Sequence, residues 1–310
     1  MNESKHIKAK ALELGFDLVG ITTAEPIGDT HPQYFQNWLK QGCAAGMEYL
    51  HRNTDKRFNP SKLLEKAKSV ICVGLNYKPI HNSSNNEHKI ANYALYEDYH
   101  PFIKSRLCRL ADFIVQFVAN KPVHFKVCVD SVPLAERALA QRAGLGFLGK
   151  NRCLTHPHLG GQLLLGELIC TLDLPPDEPM AENPCENCNQ CVKACPTGAL
   201  DSSGGFDSRK CISYLTIEEK EAIANPMACK INSLFGCDAC LMACPYQSHA
   251  PACKNKNFAF FPQRNLLDVK TMLTWTEDDF GQHFKNSSVE RIGFERLKRN
   301  AEIYLKNSIH

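Results

Sequence analysis

The chain has 310 residues, 44% of them hydrophobic and 22% charged, with a formal net charge of +3. That size suits about two domains, and the composition suits a globular protein with a real core, while so small a charge argues against a nucleic-acid coat protein held by bulk electrostatics. No apolar run nears the roughly 20 residues that cross a bilayer, and the first residues lack the apolar stretch of a secretory signal, so we expect a cytoplasmic protein with no membrane partner.

Residues 5–14 carry helical periodicity that stops at Gly15, a C-terminal signal. Residues 16–22 predict a buried strand and residues 32–41 a helix. SVICVGLNY, at 69–77, is short, apolar and β-branched, as strands are. The polar residues 81–88 predict a loop. Pro101 stands at the start of a long amphipathic helix over 101–120. HFKVCVD, at 124–130, predicts a third strand, and 132–142 a helix with Ser131 and Pro133 as its start signals. Residues 162–174 predict one more strand or hairpin. Strands alternating with helices imply an α/β or α+β domain with helices covering a sheet.

LPPDEPMAENP, at 174–184, is rich in proline and acid and marks a boundary. We therefore expect an α+β chain in three parts: an α/β domain over 1–175, a cysteine-rich domain over 176–257, and a C-terminal helical segment over 258–310. In the last part, 289–306 predict a helix. Val289, Ile292, Leu297, Ala301 and Leu305 form its apolar side, and Arg291, Arg296, Lys298, Arg299 and Lys306 its basic side.

The 16 cysteines are the unusual feature. Without an export signal their thiols should be reduced, and clustered thiols then point to metal. Cys185-x2-Cys188-x2-Cys191-x3-Cys195-Pro196 has the bacterial ferredoxin spacing. Three thiolates on a tight loop cap three corners of a cubane, and the fourth, followed by proline, turns toward a second cluster. Zinc sites prefer two separated pairs. A second run, Cys237-x2-Cys240-x3-Cys244-Pro245, has Leu234 where its first cysteine would stand. Reciprocal exchange assigns one cluster to Cys185, Cys188, Cys191 and Cys244. The other takes Cys237, Cys240, Cys195 and a stand-in, for which spacing leaves Cys211, Cys229 and Cys253 open. Cys72, Cys128 and Cys170 lie in apolar strands and predict burial as small hydrophobes.

Other motifs weigh less. Gly144-x-Gly146-x-x-Gly149 matches a dinucleotide fingerprint in letters but follows a helix, which points to a tight turn with close backbone packing. His156 and His158 suit a solvated loop. Asp130 ends a strand just before a helix, at the edge where open α/β sheets bind ligands. Its plainer role is a helix cap, which lowers a carboxyl pKa, whereas a general acid needs a raised one.

Five segments carry a wider resemblance: Asp130-Ser131-Val132-Pro133 with Glu136-Arg137, AGLGFLGKN at 143–151, CISYLTIE at 211–218, FGCDAC at 235–240 and RIGFER at 291–296. Through them the chain resembles the epoxyqueuosine reductases over essentially its whole length. The resemblance implies the last step of queuosine synthesis: epoxyqueuosine at the wobble position of tRNA loses its epoxide oxygen as water. It implies cobalamin bound by the N-terminal α/β domain, two [4Fe–4S] clusters in a ferredoxin-like domain, and an external one-electron donor of ferredoxin or flavodoxin type. It implies Cys211 as the stand-in ligand and Asp130 as proton donor, its pKa raised by desolvation between corrin and nucleoside. By match to family segments, Arg57, Asp98, Tyr99, Ser213, Asp238 and Ala239 stand near the corrin, and Lys220 beside the modified anticodon. The Asp-x-His-x-x-Gly signature of other cobalamin proteins is absent, since Tyr34 and Ile103 take the glycine positions after Asp29-Thr30-His31 and Asp98-Tyr99-His100. The competing readings are an iron–sulfur electron carrier and a small-molecule reductase of dehalogenase type.

Overall fold

The computed structural model describes residues 3–80, 89–118, 122–181 and 183–308, so the loop expected at 81–88 lies outside the described residues. The first half runs α1 (Glu3–Glu13), β1 (Leu18–Thr23), α2 (Thr30–Lys40), α3 (Thr54–Arg57), β2 (Ser69–Asn76), α4 (Tyr99–Phe117), β3 (Phe125–Cys128), α5 (Glu136–Arg142), β4 (Phe147–Leu148), β5 (Leu154–Thr155) and β6 (Leu163–Cys170). Four strands pair in the order β1-β2-β6-β3, and β4 with β5 makes a separate hairpin.

All eight residues of β2 are buried, because helices cover both faces of the sheet. Ile71, Val73 and Leu75 pack with Ile7 and Ala11 of α1 and with Leu107, Leu110 and Ile114 of α4. Val70 and Cys72 point the other way, onto Leu139 and Ala140 of α5. Each such Leu or Ile removed from water contributes about 1.5–3 kcal/mol. Mixed helix and sheet is therefore as expected, but every strand pair is antiparallel. Alternating elements require helices over the sheet; they do not fix strand direction, which depends on the end at which each connection returns. The ligand-edge rule for parallel sheets thus has no bearing on Asp130.

Two expected helices are trimmed by local chemistry. The helix expected from 132 starts only at Glu136. Before it the chain bends in tight turns, Ser131 N–H donating to the Val129 carbonyl at 2.6 Å and Leu134 N–H to that of Val132 at 2.7 Å, so Ser131 and Pro133 lie outside the helix. The helix expected over 289–306 is divided at Gly293, whose φ of +71° suits glycine. A 3₁₀ turn, Ser288–Ile292, precedes it.

The second half continues with α6 (Gln190–Ala194), α7 (Ile212–Ile217), α8 (Ala239–Met242), α9 (Pro245–Ser248), α10 (Val269–Met272), α11 (Glu277–Phe284) and α12 (Gly293–Ser308). A second core joins Ile90, Ala94 and Leu95 to Ile217, Leu234 and Phe235 and to Val269, Phe280, Phe284 and Leu297 of the C-terminal helices. The two halves are also tied by polar bonds. The buried Lys78 ammonium donates to the carbonyls of Gln247 and Ala250, at 3.1 and 2.5 Å. Gln247 Oε1 accepts the N–H groups of Gly161 and Gln162. None of the cysteines is in a disulfide. Among the described residues no helix is long and apolar enough to cross a membrane.

Candidate functional site

Asp130 sits two residues beyond β3 in the left-handed region, φ +52°, a conformation a non-glycine residue holds only when its surroundings impose it. Its N–H donates to Glu136 Oε1 at 2.6 Å. On the side-chain side stands His100, in the first turn of α4. His100 Nε2 lies 3.2 Å from Asp130 Oδ2, and Nδ1 lies 2.7 Å from Asp98 Oδ1. Asp98 is also the N-cap of α4, accepting the His100 N–H at 2.9 Å.

One imidazole between two carboxylates is set up to carry a proton. Burial pulls the His100 pKa down, but the bonds to Asp130 and Asp98 outweigh it and push it up to about 9. Asp130 is held below the usual carboxylate range, first by that bond and further by Arg291 and Arg137. At neutral pH the proton therefore rests on His100 and Asp130 is an anion, its side chain 51% exposed.

The sequence-derived site residues distribute as follows. Tyr99 is partly buried, its ring 6.2 Å from that of Tyr93, and Tyr93 lies 6.3 Å from Tyr77. This run of edge-on rings leads from the Asp130 side to the thiols, since Tyr77 feels the charges of Asp238, Cys153 and Cys240. Asp238 Oδ2 accepts the Asn92 N–H at 2.7 Å, and Ala239 opens α8. Arg57 ends α3; its guanidinium lies over the Phe35 ring, and its buried Nε has no hydrogen-bond partner. Ser213 is half-buried on α7, and Lys220 is exposed on the chain beyond it.

The basic side of the C-terminal helix is mostly engaged. Arg296 donates to the Ile217 carbonyl and Arg299 to that of Leu215, both at 2.9 Å, so cations cap the C-terminal end of α7. Arg299 also donates to the backbone carbonyls of Glu219 and Glu221, holding the chain on both sides of Lys220. Arg291 pairs with Glu218 at 2.6 Å.

The thiols fall into two sets. Burial pushes up the pKa of Cys191, Cys244, Cys237 and Cys240, and neighbouring thiols push further. Cys191 feels Cys185, Cys188 and Cys244, and Cys244 feels Cys185 and Cys188. Cys237 feels Cys211 and Cys195, and Cys240 feels Cys153, Cys237 and Cys211. Cys229 is exposed and bonded instead to Asn225 Oδ1 at 3.2 Å; Cys253 lies by Tyr96 and Asp17. Cys185, Cys188, Cys191 and Cys244 line one pocket together with Gly149, Lys150 and Thr155. Among the described residues, no three or more His, Cys, Asp or Glu side chains are grouped to hold a single metal ion.

The glycine motif builds one wall of that pocket. A Cβ on Gly146, φ +154°, would stand 2.4 Å from the Thr155 carbonyl oxygen, so only glycine lets the β4–β5 hairpin close. The hairpin then brings the Lys150 N–H to within 3.3 Å of Cys185 Sγ. Thr155 is 1% exposed and its hydroxyl is unpartnered. The His156 imidazole accepts the N–H groups of His158 and Leu159, a loop-shaping role.

Sequence reasoning missed His100, Glu136, Cys153 and Thr155 as site residues. His100 and Asp130 are thirty positions apart, and no spacing rule joins them. Thr155 shows no signal in sequence, because its importance lies in having no partner.

With this geometry in place, comparison with known proteins is informative. Residues 57–131 match the family model described as epoxyqueuosine reductase QueG, DUF1730, and residues 184–247 match a 4Fe-4S double cluster binding domain. The chain is 39% identical to an epoxyqueuosine reductase of Cyclobacterium marinum, over 97% of this chain and 96% of that one. It is 33% identical to one of Escherichia coli, over 98% and 81%. A solved epoxyqueuosine reductase bearing an epoxyqueuosine-modified tRNA-Tyr stem loop superposes with a TM-score of 0.89 at 29% identity, covering 98% of this chain and 81% of that one. A Bacillus subtilis epoxyqueuosine reductase, solved with a catalytic aspartate loop swung out of its active site, gives the same TM-score, identity and coverage.

Proposed function

The chain belongs to the epoxyqueuosine reductase family, and on that premise we propose that it removes the epoxide oxygen of epoxyqueuosine in tRNA with Asp130 at the reacting face. The observation that carries this reading is the Asp98–His100–Asp130 chain, joined by three tyrosine rings to the neighbourhood of the second thiol set. The three parts of the chain then divide the work. Residues 1–175 would serve nucleoside and corrin, 176–257 would hold both clusters and lend Ser213, Asp238, Ala239 and Lys220 to the substrate side, and 258–310 would form the helical segment packed on them.

The residues present suit the groups the family implies. Cys185, Cys188, Cys191 and Cys244 would hold one [4Fe–4S] cluster; Cys195, Cys211, Cys237 and Cys240 would hold the other. Their mutual neighbourhood supports this division, and the exposed position of Cys229 favours Cys211 as the stand-in. Arg57, Tyr99, Ser213, Asp238 and Ala239 would face the corrin. The buried, unpartnered Arg57 Nε is a donor that a corrin amide oxygen can satisfy. Asp98 would stand with them at the corrin and also holds His100. When bound, clusters and cobalamin supply electrons from an external donor of ferredoxin or flavodoxin type, gathered from single electrons into a pair. The tRNA substrate sets the reaction in the cytoplasm, with Lys220 beside the anticodon.

Removing the oxygen takes two electrons and two protons and releases one water. Asp130 is an anion in the open site, so it cannot be the acid as it stands. A nucleoside seated against it excludes water and raises its proton affinity. His100 then passes its proton through the Nε2–Oδ2 bond, Asp130 delivers it to the departing oxygen, and the second proton, needed to release water, reaches that oxygen from solvent by the same pair once His100 is reprotonated. Asp98 stays ionised and holds the imidazole in register, as the third member of catalytic triads does.

The test is anaerobic. Reconstituted protein, cobalamin and a strong reductant are mixed with tRNA from cells blocked at the final queuosine step, and the digested nucleosides are weighed by mass spectrometry. We expect loss of one oxygen that depends on both protein and cobalamin. No loss with intact clusters and bound cobalt overturns the reading and favours a small-molecule reductase.

A further inference from the structure

Behind the Asp130 turn lies a second pair of carboxyl groups. Glu167 sits in the middle of β6, opposite Cys72 of β2 and Cys128 of β3. It is 0% exposed, and neither of its carboxyl oxygens has a hydrogen-bond partner. Strand alternation aims it at the face covered by α5, whose first residue is Glu136. Burial drives both carboxyl groups toward the protonated form, and the charge of Glu136 pushes Glu167 further the same way. Glu136 in turn accepts the N–H of Asp130 at 2.6 Å.

The surrounding charges set the proton count. Asp130 faces Glu136 from its own turn, Arg137 from α5, Arg57 from α3 and Tyr99 from α4. Cys72 and Cys128 face it from the strands, and burial keeps both thiols neutral. Arg57 and Arg137 act on Glu136, and His100, Arg291 and Arg137 act on Asp130, whereas Glu167 meets only Glu136. An ionised Glu167 would add a buried negative charge with no counterpart, and such a group keeps its proton. Two adjacent carboxyl groups then share one proton rather than ionise together.

Resting on the functional reading above, we infer that Glu136 and Glu167 form a one-proton carboxyl pair that holds the Asp130 turn in its left-handed conformation. Glu136 is a positioning residue, since it touches the Asp130 backbone and not the substrate. Glu167 is the neutral partner that lets Glu136 remain a buried acceptor. The strained φ at Asp130 is the local cost of this arrangement, and it aims the carboxylate at His100.

Three measurements test the pair, two of them without substrate. Infrared difference spectra of the cluster-loaded protein at neutral pH should show a protonated carboxyl C=O stretch that moves in deuterated water and is absent from Glu167→Gln. A wild-type spectrum lacking that band, or a Glu167→Gln spectrum keeping it, overturns the inference. Crystals of Glu136→Ala should show Asp130 out of the left-handed region; an unmoved turn overturns it. In turnover, Glu136→Ala should lose roughly a hundredfold in kcat, the scale of an ångström misplacement, at wild-type iron content and tRNA affinity. Glu136→Gln, which keeps the acceptor oxygen, should recover most of that loss; equal defects in the two variants overturn the role. A wild-type protein unable to reduce epoxyqueuosine would sink the functional reading and leave the infrared and crystallographic tests standing.

Discussion

The sheet region and the cysteine region are built on opposite principles. The sheet is self-sufficient: β2 is buried along its whole length, and α1, α4 and α5 bury their apolar sides on its faces. The cysteine region has helices of five, four and four residues in α6, α8 and α9, far below the length at which a helix is stable alone. Bonds lent by its neighbours order it, and on the proposed ligand set ligation would add to them, since metal affinity couples to folding. On the proposed function, the protons of the reaction would come from the first region and its electrons through the second. The difference teaches that one half should fail by losing its fold and the other by losing its metal.

The sharpest separation comes from Asp130→Asn. Turnover should fall by roughly 10²–10⁴-fold, the usual contribution of a general acid, while iron content and bound cobalamin stay at wild-type values. Undiminished turnover would remove Asp130 from the mechanism. Next in size is Ile71→Ala in β2, which should destabilise the sheet by about 2–5 kcal/mol in denaturant titrations. Iron per folded molecule should stay constant; parallel loss of iron would mean that the two regions are not separable.

Alkaline pH should act on the proton side alone. The His100 pKa is raised from 6.5 to about 9, so its imidazolium is present at neutral pH and lost as pH rises through 9. Its stabilising link to Asp130 is fully present below 6.5 and fades over the same rise. Single-turnover rates should be flat near neutrality and fall about tenfold per unit above pH 9, with cluster absorbance unchanged. A profile without that limb would put the proton elsewhere.

On the electron side, Cys211→Ala should lower iron to about half, one of two clusters, whereas Cys229→Ala should leave it whole. The reverse result would exchange the two ligands. The smallest effect is expected from Thr155→Val. A hydroxyl donor at the pocket of the first thiol set favours the reduced, more negative cluster, so the variant should show a lower midpoint potential in an electron paramagnetic resonance titration, and Thr155→Ser should restore it. Identical potentials would leave Thr155 a packing residue.

How much of this was legible beforehand also follows the division. Sequence spacing showed the thiol sets because ferredoxin loops are local: three ligands fall within seven residues. Apolar runs showed β2 and β6 because burial leaves its mark on composition. The antiparallel order escaped because direction is a property of connections and not of segments. His100 escaped because its partners arrive from two different loops, and Glu167 because a carboxylate in an apolar strand looks like an error until the second carboxyl is seen. The basic side of α12 was legible as charge but not as purpose: Arg296 and Arg299 meet carbonyls of α7, which no charge count reveals.

The Lys78 tie bears on how the protein matures. Its ammonium and the Gln247 amide fasten the segment after Cys244 to the sheet with bonds that need no iron. On the proposed ligand set, Cys244 would be anchored by bonds that do not depend on metal, while Cys185 and Cys188 lie on the chain that follows the proline-rich boundary. Cluster insertion would then close a loop onto a standing post.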